Sequence, residues 1–579
     1  MTLHLTDRSD KVLPQAKWGQ ITMIQSPGIL QEMLQSSASR FPSCMVHIFD
    51  RRGLNAERRT ICEIIKAAEE FAKRMAGLGV QPKEPVLISL ATSQEWLDLW
   101  FGALFTGAFP VAIALPGAFS STAAHLRKIE GISNSLGIRF LFSNSAMKGL
   151  IANEQAWAGP QCYTHGELAQ CQVNHLFKRP TMDPEDIAFL QLTSGSTGVS
   201  RAVMISHTAA TVNPFACSSA IGEPYGGPVH ELADALVSWL PLYHDMGLIS
   251  CLLLPMLSGL DAWLFKPETF LARPHLWLEQ ISNHRFAFSP APNFAYQLCV
   301  ERVQDEKMNG IDLSPWKSAL VGAETVRPET VDQFCKRFSN MGFNPNHITP
   351  CYGLAEATLG VTVDLKGRGI RSLANPETYK ESAKNREIVC LGEPVPDTEL
   401  KITSPNGTDL KEGRVGELQV RGPGVFSGYF QDDQATAGCL NEGWLRTGDL
   451  GFLQNGELYL TGRLKDILII HGHNVMPDEL EQIAYSITGG GGRNRTAAFS
   501  IPGESSERPV LLIETDERDP KKLQMMEQEV KREIGRALAM NLADLLFLKR
   551  GKISKTSSGK VRRQEMRRIY LHEHIERII

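Results

Sequence analysis

The chain lacks the features of a disulfide-rich, membrane-spanning or nucleic-acid-binding protein. Its eleven cysteines are scattered singly, without a C-x-x-C pair, so neither a disulfide framework nor a zinc ribbon is predicted. The N-terminal stretch has no apolar run after a basic start, which argues against a signal peptide. A formal net charge of −4 gives no general attraction to nucleic acid or anionic lipid. We therefore expect reduced thiols, no nucleic-acid partner and a cytoplasmic location.

One uncharged stretch, residues 99–119, is long enough to suggest a membrane span. Three glycines and two prolines interrupt it, and the polar helical turn SQEWLD precedes it. This pattern favours a buried helix that runs into the core strand FPVAIAL. No integral membrane association is expected.

Short apolar runs alternate with helical patterns up to about residue 360. The runs are EPVLISL, FPVAIAL, IRFLFS, DIAFLQL, ALVSWLP and SALVGA, and helix-like stretches such as ICEIIKAAEEFAKRMAGLG lie between some of them. A length of 579 residues leaves room for several domains. Continuous short strands that alternate with helices predict a parallel, doubly wound α/β architecture.

The pattern changes near residue 391. The segments TELKITSP, VGELQVRG and GELYLTG alternate apolar and polar residues, which predicts a small antiparallel sheet or β-barrel over about 391–463. Residues 464–579 have helices and strands of their own. The predicted fold class is therefore α/β: a large N-terminal domain (1–463) of doubly wound α/β subdomains plus a small β-barrel, followed by a small mobile C-terminal α/β domain (464–579).

A hydroxyl- and glycine-rich loop, QLTSGSTGVSRAVMISH, occupies residues 191–207. Small residues let a backbone approach an anion closely, and successive N–H groups and hydroxyls can satisfy its oxygens. No lysine follows Gly198, so the loop does not match the common phosphate loop. A hydroxyl-rich turn between strands explains the loop equally well, so on its own it leaves both interpretations open.

Five further segments carry side chains suited to chemistry. Taken singly, each has a simpler explanation: His244 as a satisfied strand-end histidine, Glu356 as a solvated carboxylate, and Asp449 as the cap of its own turn. The basic stretch 549–568 would by default be a solvated tail. The segments are SWLPLYHDMGL (238–248), SALVGAETV (318–326), PCYGLAEATLGVT (350–362), WLRTGDLGFL (444–453) and GKISKTSSGKVRR (551–563).

Together and in this order, TSGSTG, HDMGL, YGLAEA, RTGDLG, GRLKD and the terminal SSGK resemble the motifs of the adenylate-forming superfamily of acyl-CoA synthetases, adenylation domains and luciferases. The resemblance covers nearly the whole chain. The segments SPAPNFAYQLCVERV (289–303) and VGAETVRPET (321–330) resemble the fatty acyl-AMP ligases in particular. That resemblance implies ATP-dependent conversion of a fatty acid to an acyl-adenylate, with release of pyrophosphate. The acyl group would pass to an acyl carrier protein, acting in trans, of a polyketide or nonribosomal peptide pathway.

The resemblance also implies roles for individual residues, with ATP and Mg²⁺ as cofactors. Lys560 would bridge the substrate carboxylate and the α-phosphate, with His244 beside that carboxylate, while Glu356 and Thr193 would help to hold Mg²⁺. Tyr352 would stack on adenine, Asp449 would accept from the ribose hydroxyls, and Lys465 would be the hinge. The implied nucleotide-binding set is Thr193, Ser194, Gly195, Ser196, Thr197, Gly198, Arg201, Gly322, Ala323, Glu324, Tyr352, Gly353, Asp449 and Arg463. The implied acyl pocket is lined by Pro292, Asn293, Phe294, Met246 and Gly247.

Two features distinguish this chain within the superfamily. The polar segment 363–390 fills the place of an insertion typical of fatty acyl-AMP ligases, which by resemblance restrains the C-terminal domain and disfavours coenzyme A. An ordinary tolerated surface loop is the alternative. Ser200-Arg201-Ala202 replaces the usual Pro-Lys-Gly, so Arg201 keeps the positive charge while Ala202 in place of glycine stiffens the loop. Ser554 replaces a usual proline.

Two other functions stay open. A medium- or long-chain fatty acyl-CoA synthetase would share the first half-reaction and differ in its dependence on coenzyme A. A catalytically weakened nucleotide- or acyl-binding protein is suggested by Ser200-Arg201-Ala202. No acidic partner for a substrate amine is evident, so a fatty acid is favoured over an amino acid, and the basic stretch 549–568 is a hypothetical contact surface for the carrier protein.

Overall fold

The computed structural model describes residues 28–116, 122–193, 201–222, 226–364, 369–374, 387–470, 473–488, 495–503, 507–538, 540–555, 560–573 and 575–578. The strands in chain order are β1 Met45–Phe49, β2 Ala56–Thr60, β3 Pro85–Ser89, β4 Phe109–Ala112, β5 Phe140–Ser143, β6 Gln161–Thr164, β7 Ile187–Leu192, β8 Ala202–Ser206, β9 Ala235–Ser238, β10 Ala262–Leu264, β11 Ala287–Pro292, β12 Trp316–Gly322, β13 Ile348–Gly353, β14 Gly360–Val363, β15 Ser372–Ala374, β16 Glu387–Val389, β17 Glu393–Pro394, β18 Glu399–Thr403, β19 Gly416–Arg421, β20 Leu440–Asn441, β21 Trp444–Gln454, β22 Glu457–Arg463, β23 Leu468–Ile470, β24 His473–Val475, β25 Thr496–Ile501, β26 Arg508–Glu514 and β27 Asp544–Leu548.

The α-helices are α1 Leu30–Arg40, α2 Ile61–Leu78, α3 Gln94–Thr106, α4 Thr122–Leu136, α5 Ser145–Ala152, α6 His165–Gln170, α7 His207–Gly222, α8 Val229–Leu232, α9 Leu254–Ser258, α10 Pro267–Ala272, α11 His275–Ser282, α12 Asn293–Arg302, α13 Pro328–Phe338, α14 Asp433–Cys439, α15 Pro477–Thr488, α16 Pro520–Leu538 and α17 Arg563–His572. A π-helix spans Met246–Leu253, directly after the HD pair of the HDMGL motif. Short 3₁₀ turns include Ala355–Ala357 and Leu464–Asp466.

Two large, mostly parallel sheets form the N-terminal part of the molecule. One has nine strands in the order β17-β14-β13-β12-β11-β9-β10-β1-β2, and its six central strands from β13 to β1 pair in parallel. The other has six strands in the order β6-β5-β3-β4-β7-β8, with only the β7–β8 pair antiparallel. All six apolar runs predicted as strands are strands. The predicted doubly wound α/β class is confirmed.

The predicted helices are present, and α2 shows how capping residues fix the start of a helix. The predicted helix in ICEIIKAAEEFAKRMAGLG is α2, and a capping box between Thr60 and Glu63 begins it. The uncharged stretch 99–119 contains the end of α3, which is followed by the buried strand β4, as predicted. In the described part of the chain, no helix is long and apolar enough to cross a membrane. All eleven cysteines are free.

Beyond residue 391 the strands become antiparallel. Strands β18 to β22 form a five-stranded sheet in which β21 pairs with β19, β20 and β22, in the place of the predicted barrel. Strands β25 to β27 form a separate three-stranded sheet, and α15 and α16 pack on it through Leu480, Leu511 and Leu523. The smaller C-terminal α/β unit is therefore present, while its exact boundary at 463/464 stays a prediction.

The described ends of the 363–390 insertion are built into the N-terminal domain. Arg371 Nη2 lies 2.7 Å from Asp364 Oδ1, and its Nη1 lies 2.8 Å from Glu457 Oε2 on β22. Both carboxylates are almost fully buried, at 4% and 6% exposure, and together they raise the pKa of Arg371. The middle of the insertion lies outside the described residues, so the restraint expected of it stays a prediction.

Replacing Arg371 tests this anchor. In Arg371→Ala, Asp364 and Glu457 would remain buried without a counter-charge, so we expect a loss of about 3 kcal/mol in the free energy of unfolding. The measurement is the thermal unfolding midpoint of the full chain, followed by tryptophan fluorescence. Arg285→Ala is the matched control, because Arg285 pairs with Asp234 while 92% exposed. Equal midpoints for the two variants would contradict the assigned role of Arg371.

Candidate active site

A cavity of about 670 Å³ lies where the two large sheets, the antiparallel sheet and the C-terminal segment meet. The carboxyl ends of β7, β12 and β13 open into it, which is where open α/β sheets bind ligands. Many of the residues singled out from the sequence line its wall. These are Thr193, Arg201, His244, Met246, Ala323, Tyr352, Gly353, Glu356, Arg463, Lys465 and Lys560.

Other predicted residues lie outside this wall. Ser194, Gly195, Ser196, Thr197 and Gly198 lie outside the described residues. Gly322, Glu324 and Asp449 lie next to wall residues but are not themselves part of the described wall. Pro292, Asn293, Phe294 and Gly247 of the predicted acyl pocket are likewise not part of the described wall, so their role stays a prediction.

Three of these predicted acyl-pocket residues, Asn293, Phe294 and Gly247, have local packing contacts. The Phe294 N–H donates to Glu324 Oε1 at 2.6 Å, and Asn293 Oδ1 accepts from the Arg327 N–H at 3.1 Å. These bonds fix the start of α12 against the turn after β12. A Cβ at Gly247 would lie 2.1 Å from the Pro241 carbonyl oxygen, so the absence of a side chain there permits close backbone packing.

One end of the cavity is organised around Asp449. Tyr352 Oη donates to Asp449 Oδ2 at 2.6 Å, and Arg463 Nε lies 2.8 Å from Asp449 Oδ1. Asp449 is only 3% exposed, and its negative charge raises the pKa of the Arg463 guanidinium. Burial, and then Asp449, raises the pKa of the Tyr352 phenol well above its usual value. This end therefore presents an aromatic ring and a fixed cation, with a carboxylate directly behind them.

The strand that carries Tyr352 comes very close to its neighbour. A Cβ at Gly353 would lie 1.8 Å from the Leu359 carbonyl oxygen. Any side chain at this position would push the Ala355–Ala357 turn, and with it Glu356, out of place. The Tyr-Gly pair in YGLAEA is thus explained by backbone packing as well as by its position in the cavity.

Lys560 enters the cavity from the C-terminal segment. Burial lowers the pKa of its ammonium group, and so does the positive charge of Arg463, while Asp245, Glu324 and Asp449 oppose this shift. Asp245 is bound in turn by His244, whose Nδ1 lies 2.5 Å from Asp245 Oδ1. Burial tends to raise the pKa of Asp245, but His244 and the Met246 N–H outweigh it and lower the pKa. Lys560 is therefore a desolvated lysine in the electrostatic field of the Asp245 carboxylate, which His244 binds.

Glu356 is held in place by a residue that the sequence did not single out. Tyr429 Oη donates to Glu356 Oε1 at 2.7 Å, and the Arg201 guanidinium lies 5.2 Å from the Tyr429 ring centre. Arg201 also lies 3.5 Å from Asp432. Burial raises the pKa of Glu356, which the bond from Tyr429 partly offsets. Tyr429 lies 73 residues from Glu356 in sequence, so only the fold brings the two together.

Arg563 fixes the segment that bears Lys560. Its guanidinium lies 3.5 Å from Asp466, 2.6 Å from Asp478 and 2.7 Å from Glu481. These contacts occupy all three of its nitrogens. Arg563 is therefore unavailable as part of the basic surface proposed for a carrier protein, while the role of the rest of stretch 549–568 stays a prediction.

The deeper part of the cavity is apolar. Its wall comes from α7, the π-helix region and the strands β11, β12 and β14. Sequence reasoning did not find the α7 residues of this wall, because α7 is apolar or small on nearly every face and shows no period that marks one side. The apolar wall includes Pro214, Cys217, Ile221, Leu254, Phe288, Leu320, Leu359 and Val363.

Comparison with known proteins identifies the family. Residues 34–430 match the model of the family described as "AMP-binding enzyme". The chain belongs to the AMP-binding enzyme family. This AMP-binding enzyme is 30% identical over 582 residues to the long-chain-fatty-acid–AMP ligase FadD26 of Mycobacterium tuberculosis, covering 94% of this chain and 98% of the relative. It is also 30% identical over 600 residues to 4-hydroxyphenylalkanoate adenylyltransferase of the same organism, covering 96% and 93%.

Solved structures give the same relationship. The enzyme matches a structure from a study of fatty acyl-adenylate ligases of E. coli and L. pneumophila with a TM-score of 0.86, at 28% identity, covering 94% of this chain and 98% of that one. It also matches the L. pneumophila fatty acyl-adenylate ligase in complex with acyl adenylate and pyrophosphate, with a TM-score of 0.70, at 28% identity, covering 96% and 98%.

Asp449→Asn tests the nucleotide end of the cavity. The amide keeps the size of the side chain but leaves the Arg463 charge without its carboxylate, so we expect AMP to bind at least about tenfold more weakly. Isothermal titration of AMP into the full chain measures this effect. The control is Asp409→Asn, because Asp409 is 68% exposed and only 3.4 Å from Lys401 on the surface. An unchanged Kd in Asp449→Asn would rule out this role.

Proposed function

We propose that this AMP-binding enzyme is a fatty acyl-AMP ligase. It uses ATP and Mg²⁺ to convert a fatty acid to an acyl-adenylate, releases pyrophosphate, and passes the acyl group to an acyl carrier protein in trans. The observation that carries the proposal is that one cavity joins the Tyr352–Asp449–Arg463 end, the Lys560 ammonium and a deep apolar wall. The similarity to FadD26 and to the fatty acyl-adenylate ligases supports the same conclusion.

The apolar wall favours a fatty acid over an amino acid. An α-amino group would need a free carboxylate near the reacting carboxyl group. Asp245 is the acid at that point of the wall, and His244 and the Met246 N–H already bind it. An unbranched acyl chain needs only apolar contacts, and the wall formed by α7, β11, β12 and β14 provides them.

The reaction requires two anions to approach each other. An oxygen of the fatty carboxylate attacks the α-phosphorus, the bond from that phosphorus to the bridging oxygen of the β-phosphate breaks, and the electron pair leaves with pyrophosphate. Catalysis is then mostly positioning and charge neutralisation. Lys560 suits this task because its compact charge sits on a long flexible stem. His244 would orient the substrate carboxylate, and Tyr352, Asp449 and Arg463 would hold the adenosine.

The residues present fit Mg²⁺, although no cluster of three or more metal-ligating side chains occurs among the described residues. Mg²⁺ in nucleotide sites is usually held by one or two carboxylates together with phosphate oxygens. Glu356 and the Thr193 hydroxyl line the same cavity and would hold it. Bound there, the ion would neutralise phosphate charge, and Tyr429 keeps Glu356 pointing to that place.

Transfer needs a second arrangement of the C-terminal domain. Lys465 lies in the short turn Leu464–Asp466 that joins the antiparallel sheet to the C-terminal unit, which suits a hinge. We place the enzyme in the cytoplasm, where its free thiols stay reduced. The segment 363–390 would limit the hinge motion and disfavour coenzyme A, and the carrier would belong to a polyketide or nonribosomal peptide pathway.

A product assay tests the proposal. The enzyme is incubated with ATP, Mg²⁺ and saturated fatty acids of graded length, with and without coenzyme A, and products are resolved by mass spectrometry. We expect acyl-adenylate that accumulates and does not respond to coenzyme A. Acyl-CoA as the main product would identify an acyl-CoA synthetase instead, and no adenylate with any acid would identify a weakened binding protein.

Lys560→Ala tests the role of the buried lysine. Without the Lys560 charge, no cation at that point offsets the repulsion between the fatty carboxylate and the α-phosphate. Acyl-adenylate formation should therefore fall by about 10²-fold or more. Circular dichroism and the thermal midpoint should match the unaltered protein. Lys552→Ala is the control, since Lys552 pairs with Glu576 on the surface. Full activity of Lys560→Ala would refute the mechanism.

A further inference from the structure

Two basic side chains from different parts of the molecule face the catalytic cavity without a role in the scheme above. Lys128 lies on α4, and Arg562 directly precedes α17. Both line the same cavity as Thr193 and Arg201. One therefore belongs to the N-terminal domain and the other to the C-terminal unit that the hinge carries.

Both positions are held by well-defined packing. Leu126, Ile129 and Ile132 bury one side of α4 in the core of the six-stranded sheet, so the helix position is fixed. The Arg562 N–H donates to the Ser554 carbonyl oxygen at 2.9 Å, and the adjacent Arg563 is bound by three carboxylates. Both cations thus line the cleft from well-defined supports, one on each of the two parts of the molecule.

Neither cation has a carboxylate of its own among the described residues. Arg562 helps to lower the pKa of Glu565, one turn later, but the cation bound to that carboxylate is Arg568, at 2.9 Å. Throughout the described ranges, neither Lys128 nor Arg562 forms an ion pair. Partial desolvation lowers the pKa of Lys128, and the nearby positive charge of Arg562 lowers it further. Two like charges at close range repel each other, and an anion between them would remove that repulsion.

The topology indicates which part of a nucleotide would lie there. Strand β4, which leads into α4, pairs with β7 through Val111 and Leu190, and Thr193 follows the end of β7. Lys128 and Thr193 therefore both reach the cavity from the six-stranded-sheet part of the molecule. Tyr352 and Asp449 belong to the nine-stranded and antiparallel sheets. The anion near Lys128 would be the far end of the triphosphate and not the adenosine.

We propose that Lys128 and Arg562 form a two-sided clamp for the pyrophosphate portion of ATP. This inference rests on the proposed adenylate-forming function and adds two residues to it. With the triphosphate bound, its oxygens bridge the two cations and hold the C-terminal unit against the cleft. When pyrophosphate leaves, the two cations repel each other again, which favours rotation of the C-terminal unit toward the transfer arrangement.

Equilibrium binding to the full-length protein tests the clamp. Magnesium pyrophosphate and AMP are titrated separately, at fixed ionic strength, into the unaltered protein, Lys128→Ala, Arg562→Ala and the double variant. Each single substitution should raise the Kd for pyrophosphate about tenfold, which corresponds to one lost charged contact, and should leave the Kd for AMP within about twofold. The double variant should lose less than the product of the two effects, because both residues act on one anion.

Matched controls separate the clamp from general charge. Arg127→Ala removes the neighbouring charge on α4, which is not part of the described wall, and Lys549→Ala removes a surface charge paired with Glu576. Both should leave the Kd for pyrophosphate unchanged.

Three results would overturn the proposal: no effect of either substitution on pyrophosphate binding, an equal effect on AMP, or no binding of pyrophosphate to the unaltered protein. This binding assay contains no fatty acid and is independent of the product assay described above. Failure to form an acyl-adenylate in the product assay would count against the proposed function, whereas the pyrophosphate titration alone decides whether the clamp exists.

Discussion

The ion pairs of Arg563 determine whether a complete site exists at all. Lys560 and Arg562 belong to a C-terminal segment, yet they enter a cleft built by the N-terminal sheets. The segment can do so because three carboxylates, on the hinge turn and on α15, neutralise Arg563 and fix the start of α17. Removing one partner of such a buried network leaves an uncompensated charge, which is strongly destabilising. One ion-pair network therefore ties together the Leu464–Asp466 turn, α15 and the start of α17, three residues after Lys560.

The charges inside the cleft follow one pattern. Arg463 lies on Asp449, and His244 lies on Asp245, so both carboxylates have partners before any ligand arrives. Lys128 and Arg562 line the same cavity and form no ion pair among the described residues. In the arrangement proposed above, a substrate with several negative charges would bind to both of them. The proposed adenosine end of the cleft is thus preorganised, and the proposed pyrophosphate end gains its counter-charge from the ligand.

The apolar end depends on the packing of whole elements. Helix α7 and strand β14 meet with a small residue at their contact: Asn213 accepts from the Gly360 N–H at 3.1 Å, and a Cβ at Gly360 would lie 2.3 Å from Cys217 Sγ. These close approaches bring α7 against β14 and shape the wall for an acyl chain. Asn293 and Phe294, which were predicted for this role, secure the start of α12, and their contact with an acyl chain stays a prediction.

The sequence by itself determined the doubly wound class, the six apolar strands, the change to antiparallel strands after residue 391 and the motif residues that line the cavity, from Thr193 to Lys560. Those features depend on local periodicity, turn residues and ordered motifs, all of which are written along the chain. Only the tertiary structure brought Tyr429 to Glu356, Arg563 to Glu481 and Arg562 to the cavity that Lys128 also lines. Those contacts join residues 73 to hundreds of positions apart, and no local pattern records which of many polar side chains a fold will place together.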